Sequence, residues 1–304
     1  MLAYVIRRLL FTLLIAFLAI SAVFFIIRMT GDPTHLMLPM DASQEVIDNF
    51  RHKMGYDQPL FLQYVDYIWN FLHGDFGTSL RYNEPALNLV LEALPATALL
   101  TLSAMIMSIV IGVPLGIITG VHSGGLDRII TVFVVFAQGV PNFWLGLMMI
   151  FVFSVKFPLL PTGGIGSFAH LIMPTIVLGF YTTSRITRVT KSSISEHIQK
   201  DYIRTARAKG LKENIVLLKH CVRNALMPVV TLVGLSIGIY MGGVVITETI
   251  FSWPGMGRWI IQSIEMRDFP VVIAAVSFIV IIFSVINLIT DISYAWIDPR
   301  IRYE

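Results

Sequence analysis

The ionisable side chains in the second half of the chain are concentrated in one polar interval, residues 192–228, between two long apolar runs. The interval carries seven lysine and arginine residues against three acidic ones. Such a basic segment can pair with an acidic protein surface or lie on anionic lipid headgroups. A helix-turn-helix that reads DNA is a third alternative, which the apolar flanks disfavour. These residues therefore indicate a segment that binds an anionic partner, and they do not indicate catalysis.

Apolar residues within this interval predict two short helices separated by Gly210. Gly210 can end a helix in the left-handed conformation, and Leu211 supplies the apolar contact of such a cap. The small residues between 206 and 210 form a ledge that another protein surface can approach closely. The first helix is marked by apolar residues that recur every four positions on one face: Ile194, Ile198, Tyr202 and Ala206. The second is marked by Ile215, Leu218 and Val222.

The sequence contains no recognisable catalytic or metal-binding constellation. It has no Gly-Lys dipeptide and hence no Walker A phosphate-binding loop. None of the seven histidines forms a pair four residues apart or a cluster with cysteine. The single cysteine, Cys221, excludes an intrachain disulfide and is expected to be a small buried residue. We therefore expect a chain that is not an enzyme and that holds no metal or cofactor.

Composition places the chain in a membrane. Of its 304 residues 56% are hydrophobic and 13% are charged, and the mean hydropathy is +0.76, whereas soluble domains carry roughly 25% charged residues. The first apolar run is too long for a signal peptide, so we interpret it as a retained helix. Six spans of about 20 residues are predicted, at 9–28, 97–120, 129–153, 171–189, 228–250 and 271–293.

The distribution of lysine and arginine predicts the orientation. With the N-terminus inside, fifteen basic residues lie on the cytoplasmic side and seven on the outer side. Both termini are therefore expected in the cytoplasm, with the chain in the plasma membrane, or in the inner membrane of a Gram-negative cell. The long loop between the first two spans is then outside the cell.

The outer loop is expected to be helical. Asp41 with Gln44 resembles a capping pair at the start of a helix that Gly55 ends. A second helix is predicted from Pro59 and a third from near Pro85. The loop is acidic, and we interpret it as a cap on the membrane face that also offers a docking surface for another protein.

Two glycine triplets predict close helix packing. Glycines four residues apart form a groove on which another helix backbone can lie, within this chain or between chains. One triplet is in the second span and the other in the fifth: Gly112, Gly116 and Gly120, then Gly234, Gly238 and Gly242.

Polar residues in or near the spans are candidates for the transport pathway. Gln138 and Asn142 are the main polar groups at depth, and Pro141 between them predicts a kink. Glu248 lies at the outer end of the fifth span, where a carboxylate is a functional candidate. After it, Pro254 and Gly255 fit the central positions of a type II turn. Trp253 also suits the aromatic belt at the membrane interface.

The sequence of the polar interval resembles the coupling motif of ABC-importer permeases. Residues 205–210 read Thr-Ala-Arg-Ala-Lys-Gly and are followed by Arg-Asn-Ala-Leu at 223–226 and by Pro228. Thr205 stands where the general motif has an acidic residue, as in the oligopeptide, dipeptide and nickel branch, and the chain resembles its B-type subunit. Further pieces similar to this branch cover nearly the whole chain, at 31–33, 55–60, 74–79, 248–257, 267–271 and 297–300.

The resemblance implies an all-α polytopic fold of six transmembrane helices, the type I ABC-importer permease fold. It implies residues 1–94 as first helix and outer loop, 95–293 as the permease core with the coupling helix at about 192–227, and 294–304 as a cytoplasmic tail. It also implies residues that couple to an ATPase: Tyr202, Thr205, Ala206, Arg207, Ala208, Lys209, Gly210 and Leu211. Outer gate candidates are Glu248, Phe251, Trp253, Pro254, Gly255 and Gly257.

The implied partners are a second, often different, permease, two ATPases that hold ATP and Mg²⁺, and an outer binding protein; no nucleic acid is implied. The implied cargo is a dipeptide or oligopeptide, with glutathione or a nickel chelate as alternatives. An ion-coupled secondary transporter is the competing class. Such proteins place ionisable groups at mid-membrane depth, and the predicted spans carry few.

Overall fold

The computed structural model describes residues 2–29, 34, 38, 41–242 and 244–297. The sequence pieces at 31–33 and 298–300 and the end of the expected tail lie outside these residues. Helices form the described part of the chain, in this order: α1 Leu2–Met29, α2 Gln44–Lys53, α3 Leu60–Leu72, α4 Ala86–Val121, α5 Gly125–Gly139, α6 Asn142–Lys156, α7 Phe168–His197, α8 Asp201–Ala208, α9 Glu213–Ala225, α10 Met227–Met241, α11 Val245–Ile250, α12 Met256–Glu265 and α13 Phe269–Ile297.

Three of the described helices, α1, α4 and α13, are long and apolar enough to cross a membrane. Two bent pairs, α5 with α6 and α9 with α10, raise the number of candidate spans to five if each pair is one span. The predicted span at 171–189 lies inside the 30-residue helix α7. Because the second half of α7 carries Arg185, Arg188 and Lys191, the helix is less apolar than the others.

The predicted kink near Pro141 is a full break. α5 ends at Gly139, and α6 starts at Asn142 at an angle of 97° to it. The residue before a proline is pushed towards extended backbone, and Val140 has φ −81° and ψ 120°. At the other end, the last six residues of α6, Phe151–Lys156, form a π-helix.

The fifth predicted span, 228–250, is also interrupted. α10 ends at Met241, and Val245–Ile250 form the separate short helix α11. Glu248 therefore lies on a short helix that follows the span helix. α9 and α10 meet at an angle of 48°, with Pro228 in the first turn of α10, where a missing backbone N–H costs nothing.

The outer loop differs from prediction at both ends. The side-chain hydroxyl of Ser43, and not Asp41, caps α2 by accepting the N–H of Val46 at 3.4 Å. Gly55 ends the helix with a positive φ of 67°, as predicted. The helix expected near Pro85 is the start of α4, which runs without interruption through Pro95. The expected boundary between residues 94 and 95 thus falls inside α4.

The centre of the fold is the long contact between α4 and α7, and the first glycine triplet lies in it. A Cβ atom at Gly112 would lie 2.9 Å from Ile186 Cγ2, and one at Gly116 would lie 2.4 Å from Thr190 Cβ. At Gly120 the corresponding distance to Ile194 Cβ is 2.7 Å. These contacts explain the spacing, because any larger residue would push the two helices apart.

The second glycine triplet packs α10 against α13. Cβ atoms at Gly234 and Gly238 would lie 2.1 Å from Thr290 Oγ1 and 2.9 Å from Phe283 Cδ2. At Gly242 the nearest side-chain atom, Cγ2 of Ile279, would be 3.2 Å away. Both triplets therefore meet helices of the same chain.

The outer loop is tied to the rest of the fold by polar contacts. The hydroxyls of Ser21 in α1 and Tyr64 in α3 are 2.7 Å apart. Ser79 is buried and donates a hydrogen bond of 2.5 Å to Oδ2 of Asp268, immediately before α13. Arg81 donates to the carbonyl oxygen of Met266 from two guanidinium nitrogens, at 3.3 and 3.2 Å. The turn between α12 and α13 thus holds residues 79–82 in place.

Candidate coupling, gate and pathway sites

The end of α8 is a Schellman cap built on Gly210. Gly210 has a φ of 74°, and its N–H donates to the carbonyl of Arg207 at 2.9 Å. The N–H of Leu211 donates to the carbonyl of Ala206 at 3.4 Å. These are the two hydrogen bonds that define the motif. A Cβ atom at Gly210 would meet nothing within 4 Å, so its surface is open.

The prediction that one continuous helix carries the apolar face across residues 194–206 is wrong. α7 ends at His197 and α8 begins at Asp201, so a break separates the two halves of the pattern. The apolar residues still meet, because α8 folds back on the end of α7. Ile194 and Ala206 are buried in one cluster, against which Ile198 and Tyr202 pack. Ile203, which the four-residue spacing missed, is fully buried in the same cluster.

The predicted face of the following helix is wrong at two of its three residues and right at Val222. Ile215 and Leu218 are exposed, whereas Val216, Cys221 and Val222 are buried. The reason is that Val216–Val222 form a π-helix. Hydrogen bonds from residue i to i+5 bring Val216 and Cys221 to the same face, which a search for period 3.6 does not find. As expected, Cys221 is a buried free thiol.

An ion pair spans the turn between α8 and α9. Arg207 Nη2 lies 2.6 Å from Oε1 of Glu213, and Arg207 Nε donates to Oε2 at 3.1 Å. This hydrogen bond lowers the pKa of Glu213 from its ordinary value and raises the pKa of Arg207. Both side chains are exposed, so the two-point pair orients the turn more than it stabilises the fold.

The residues that the sequence suggested for coupling divide into two groups. Ala206 is buried and Tyr202 is half-buried, so they attach α8 to the end of α7. The others lie at the surface around the Gly210 turn: Thr205, Arg207, Ala208, Lys209, Gly210 and Leu211. The predicted ledge of small residues is thus the exposed pair Ala208 and Gly210, without Ala206.

The carboxylate of Glu248 is fully buried and held by donors from two other segments. Its Oε1 accepts the hydroxyl of Thr97 in α4 at 2.7 Å, and its Oε2 accepts the N–H of Arg258 in α12 at 2.9 Å. The Thr97 hydroxyl in turn accepts the N–H of Met256 at 2.8 Å. Sequence reasoning missed Thr97, because nothing in its local sequence marks it. The carboxylate joins α4, α11 and α12 at one point.

Two glycines make room for this carboxylate. A Cβ atom at Gly255 would lie 2.2 Å from Glu248 Oε1, and one at Gly257 would lie 2.9 Å from Oε2. The expected type II turn is wrong, because Gly255 has a φ of −98° and the positive φ of this segment, 48°, belongs to Ser252. The N–H of Gly255 donates to the carbonyl of Trp253 around the half-buried Pro254. Gly255 is therefore required for space around Glu248.

The indole of Trp253 is buried inside the chain. Its Nε1 donates to the carbonyl of Ala96 at 2.8 Å, and its ring packs against α4 and α7. The alternative assignment to the aromatic belt at the membrane interface is therefore wrong. Phe251 is equally buried, and its carbonyl accepts the N–H of Gly164 at 2.7 Å. The gate candidates form one packed unit with the loop before α7.

Gln138 lies on the wall of a half-open cavity of about 520 Å³ between α4, α5 and α7, whose lining combines apolar and polar side chains. Lys191 in this wall lies 2.5 Å from Oδ1 of Asp127 and donates to the hydroxyl of Thr131 at 3.1 Å. Asn142, the other predicted pathway residue, is half-buried at the start of α6, beyond the break, and is not in this wall. The structure thus does not bring the two predicted pathway residues to the same cavity.

These features define a helical membrane protein with a packed, hydrogen-bonded unit around Glu248, a cavity between helices, and an exposed turn on the predicted cytoplasmic side. In the described residues no group of three or more histidine, cysteine, aspartate or glutamate side chains could hold a metal ion.

The chain belongs to the binding-protein-dependent transport family. Residues 112–303 match the family described as "Binding-protein-dependent transport system inner membrane component", and residues 1–101 match its N-terminal family. The chain is 40% identical over 306 residues to "Glutathione transport system permease protein GsiC" of Escherichia coli strain K12, with all of both chains covered. The protein of the same name from Shigella dysenteriae serotype 1 gives the same values.

A solved structure shows the same fold. It is described as inward-facing conformations of the MetNI methionine ABC transporter. The match has a TM-score of 0.55 at 17% identity and covers 69% of this chain and 96% of the other. This chain is therefore a permease component of an ABC importer, as the coupling motif indicated. Proteins of this kind work with ATP-binding subunits and a binding protein.

Proposed function

We propose that this permease carries glutathione, or small peptides of the same kind, into the cell. The observation that supports this cargo is the identity of 40% along the whole chain to permeases named for glutathione transport. Glutathione is a tripeptide, so the proposal lies within the peptide cargo that the coupling motif implied. A nickel chelate has no comparable support among the relatives described above.

The proposed assembly has two permeases, this chain and a different homologous one, with two ATPases on the cytoplasmic side. ATP and Mg²⁺ bind to the ATPases, and this chain supplies no catalytic group. The exposed turn at 207–211 fits a cleft on an ATPase, because Ala208 and Gly210 present little bulk and Lys209 stands beside them. α8 is fixed to α7 through the buried Ala206 and Ile203. A push on the turn is therefore transmitted to α7.

On the outer side, the proposed docking surface for the binding protein is the loop that contains α2 and α3. Ser79 and Arg81 fasten this loop to the turn before α13. With the predicted orientation, the unit around Glu248 lies at the outer end of α4, because Thr97 is in the first third of that helix. We assign it the role of outer gate, in which α4, α11 and α12 move as one body.

Uptake by the reconstituted transporter tests the cargo. Vesicles that contain both permeases and both ATPases are supplied with the binding protein and ATP, and uptake of radiolabelled glutathione is measured. We expect ATP-dependent uptake that unlabelled glutathione suppresses more strongly than a dipeptide at the same concentration. Uptake of the dipeptide without uptake of glutathione would contradict the cargo and leave the importer class intact.

Thiol labelling tests the orientation. Glu84 and Lys209 are both exposed, so a cysteine at either position can react. We expect a membrane-impermeant reagent added to intact cells, or to spheroplasts if an outer membrane is present, to label the Glu84→Cys variant and not the Lys209→Cys variant. Native Cys221 is buried and gives little background. The reverse pattern would invert the assignment.

A further inference from the structure

The cavity between α4, α5 and α7 has the size of a small-molecule site. Its volume of about 520 Å³ lies inside the range of roughly 300–1,000 Å³ that such sites span. α4 contributes Thr119, α5 contributes Gln138, and α7 contributes Arg188 and Ser192 among other residues. A peptide of two or three residues fits into this space.

The two cations in the cavity wall differ in their partners. Lys191 is neutralised by Asp127, and its ammonium also donates to Thr131. Within the described residues no carboxylate lies within 4 Å of the guanidinium of Arg188, which is exposed. A guanidinium presents its donors in a planar fork that matches a carboxylate. The wall therefore carries one positive charge that no carboxylate of the described residues neutralises.

Four of the five hydroxyl groups of the wall do not compete for this role, because their protons are already used. The hydroxyl of Thr131 donates to Oδ1 of Asp127 at 3.2 Å. The side chains of Thr119, Thr187 and Ser195 donate to backbone carbonyls at 2.8, 2.8 and 3.2 Å. The donors that remain for a ligand are the fork of Arg188, the amide of Gln138 and the hydroxyl of Ser192. The cavity consequently recognises an oxyanion better than a cation.

The depth of Arg188 explains why it needs such a partner. It follows Phe168, the first residue of α7, by 20 positions, which is about 30 Å of helix at 1.5 Å per residue. This is about the thickness of the hydrocarbon core, so Arg188 lies near the cytoplasmic boundary. An arginine at the edge of the membrane faces an open cavity with polar side chains in its wall more favourably than lipid tails.

We propose that this cavity binds a carboxylate of the peptide cargo, with Arg188 as its cation and Gln138 as a second donor, at the cytoplasmic end of the pathway. The inference rests on the proposed function, since it supplies the cargo. The proposed site makes the importer selective for peptides with a free carboxylate. An anionic lipid headgroup is the competing occupant, and the experiment separates the two.

A disulfide trap in the assembled transporter tests the site. Val135 lines the cavity, and the Val135→Cys variant places a thiol beside the proposed ligand. The complete complex is placed in nanodiscs of phosphatidylcholine. The rate of mixed-disulfide formation with oxidised glutathione, which is anionic, is compared with the rate for hydroxyethyl disulfide, which is neutral. The ratio of the two rates removes effects on the intrinsic reactivity of the thiol.

We expect Arg188→Gln to lower this ratio at least about tenfold, as the loss of a hydrogen bond to a charged group predicts. Arg188→Lys should retain most of the ratio, because the charge remains. Arg128→Gln removes an exposed cation from the first turn of α5, outside the cavity wall, and should leave the ratio unchanged. Equal ratios with and without Arg188 would refute the site.

Two further measurements separate the alternatives. If phosphatidylglycerol in the nanodisc blocks the reaction of the parent complex with oxidised glutathione, a lipid headgroup occupies the cavity and the inference is wrong. If both Arg188 variants lose the partner permease on purification, Arg188 is an interface residue, which also refutes it. Absence of glutathione uptake by the parent complex would instead refute the proposed cargo, while the rate ratio still decides whether the cavity selects an anion.

Discussion

A methyl group at Gly255 would enter the space that the carboxylate of Glu248 occupies. The Cβ of a Gly255→Ala variant would lie 2.2 Å from Oε1 of Glu248 and 2.6 Å from Oγ1 of Thr97. These two atoms form a hydrogen bond of 2.7 Å, and Thr97 also accepts the N–H of Met256. Neither atom can move away without breaking one of these bonds, because the whole group is buried.

The cost follows from the two interactions that change. A hydrogen bond lost by a buried carboxylate costs about 1.5–3 kcal/mol, and an extra methyl group in a close-packed site costs about 1–3 kcal/mol. We therefore expect Gly255→Ala to destabilise the protein by about 3 kcal/mol or more. At roughly 2–4 °C per kcal/mol, the apparent Tm should fall by roughly 6–12 °C.

The assay is thermal unfolding of the purified complex in detergent, with Gly125→Ala as the matched control. A Cβ atom at Gly125 would meet nothing within 4 Å, so this variant should leave the Tm unchanged or raise it slightly. In a Glu248→Ala background, Gly255→Ala should cost less than half as much, because the atom that it meets is absent. Equal costs in both backgrounds would show that the damage does not pass through Glu248.

Three further predictions concern the other elements. Gly210→Trp forces an L-residue into a left-handed conformation at a cost of about 1–2 kcal/mol, so we expect a permease that stays in the membrane but transports poorly. Lys209→Gln removes only an exposed charge and should change uptake little. Normal uptake by the Gly210→Trp variant with its ATPase bound would refute the coupling role. Gly238→Leu should lower the Tm and the yield of assembled complex by separating α10 from α13; unchanged values would show that the contact is not needed. In the loop between α1 and α4, the hydrogen bond between His52 and Asp57 raises the pKa of His52 and lowers the pKa of Asp57. The stabilisation by this pair is therefore complete between the ordinary pKa values of about 3.9 for aspartate and about 6.5 for histidine, and it is lost as the pH rises through the raised pKa of His52 or falls through the lowered pKa of Asp57. Asp57→Asn should lower the pKa of His52 in an NMR titration, and an unchanged value would contradict the pairing.

Several features follow from the sequence because their causes are local. The absence of charge over long runs requires a membrane environment wherever these residues lie in the fold. Gly210 ends α8 because a residue without Cβ adopts a positive φ, and Pro141 interrupts the third predicted span because it restricts the residue before it. The coupling motif likewise lies within one short interval, and the family it indicated is confirmed by matches along the chain.

The errors arose where distant parts of the chain decide the outcome. The residue type of Trp253 is compatible with the membrane interface, but the carbonyl of Ala96, 157 positions away, accepts its N–H inside the fold. The partner of Glu248 is Thr97, 151 positions earlier, and no periodicity links them. The π-helix in α9 buries Val216 and Cys221 in place of Ile215 and Leu218 because the end of α7 packs there. Sequence periodicity reports which face of a regular helix is apolar, whereas burial of a single polar group depends on which other helix supplies its partner, and only the tertiary structure determines that.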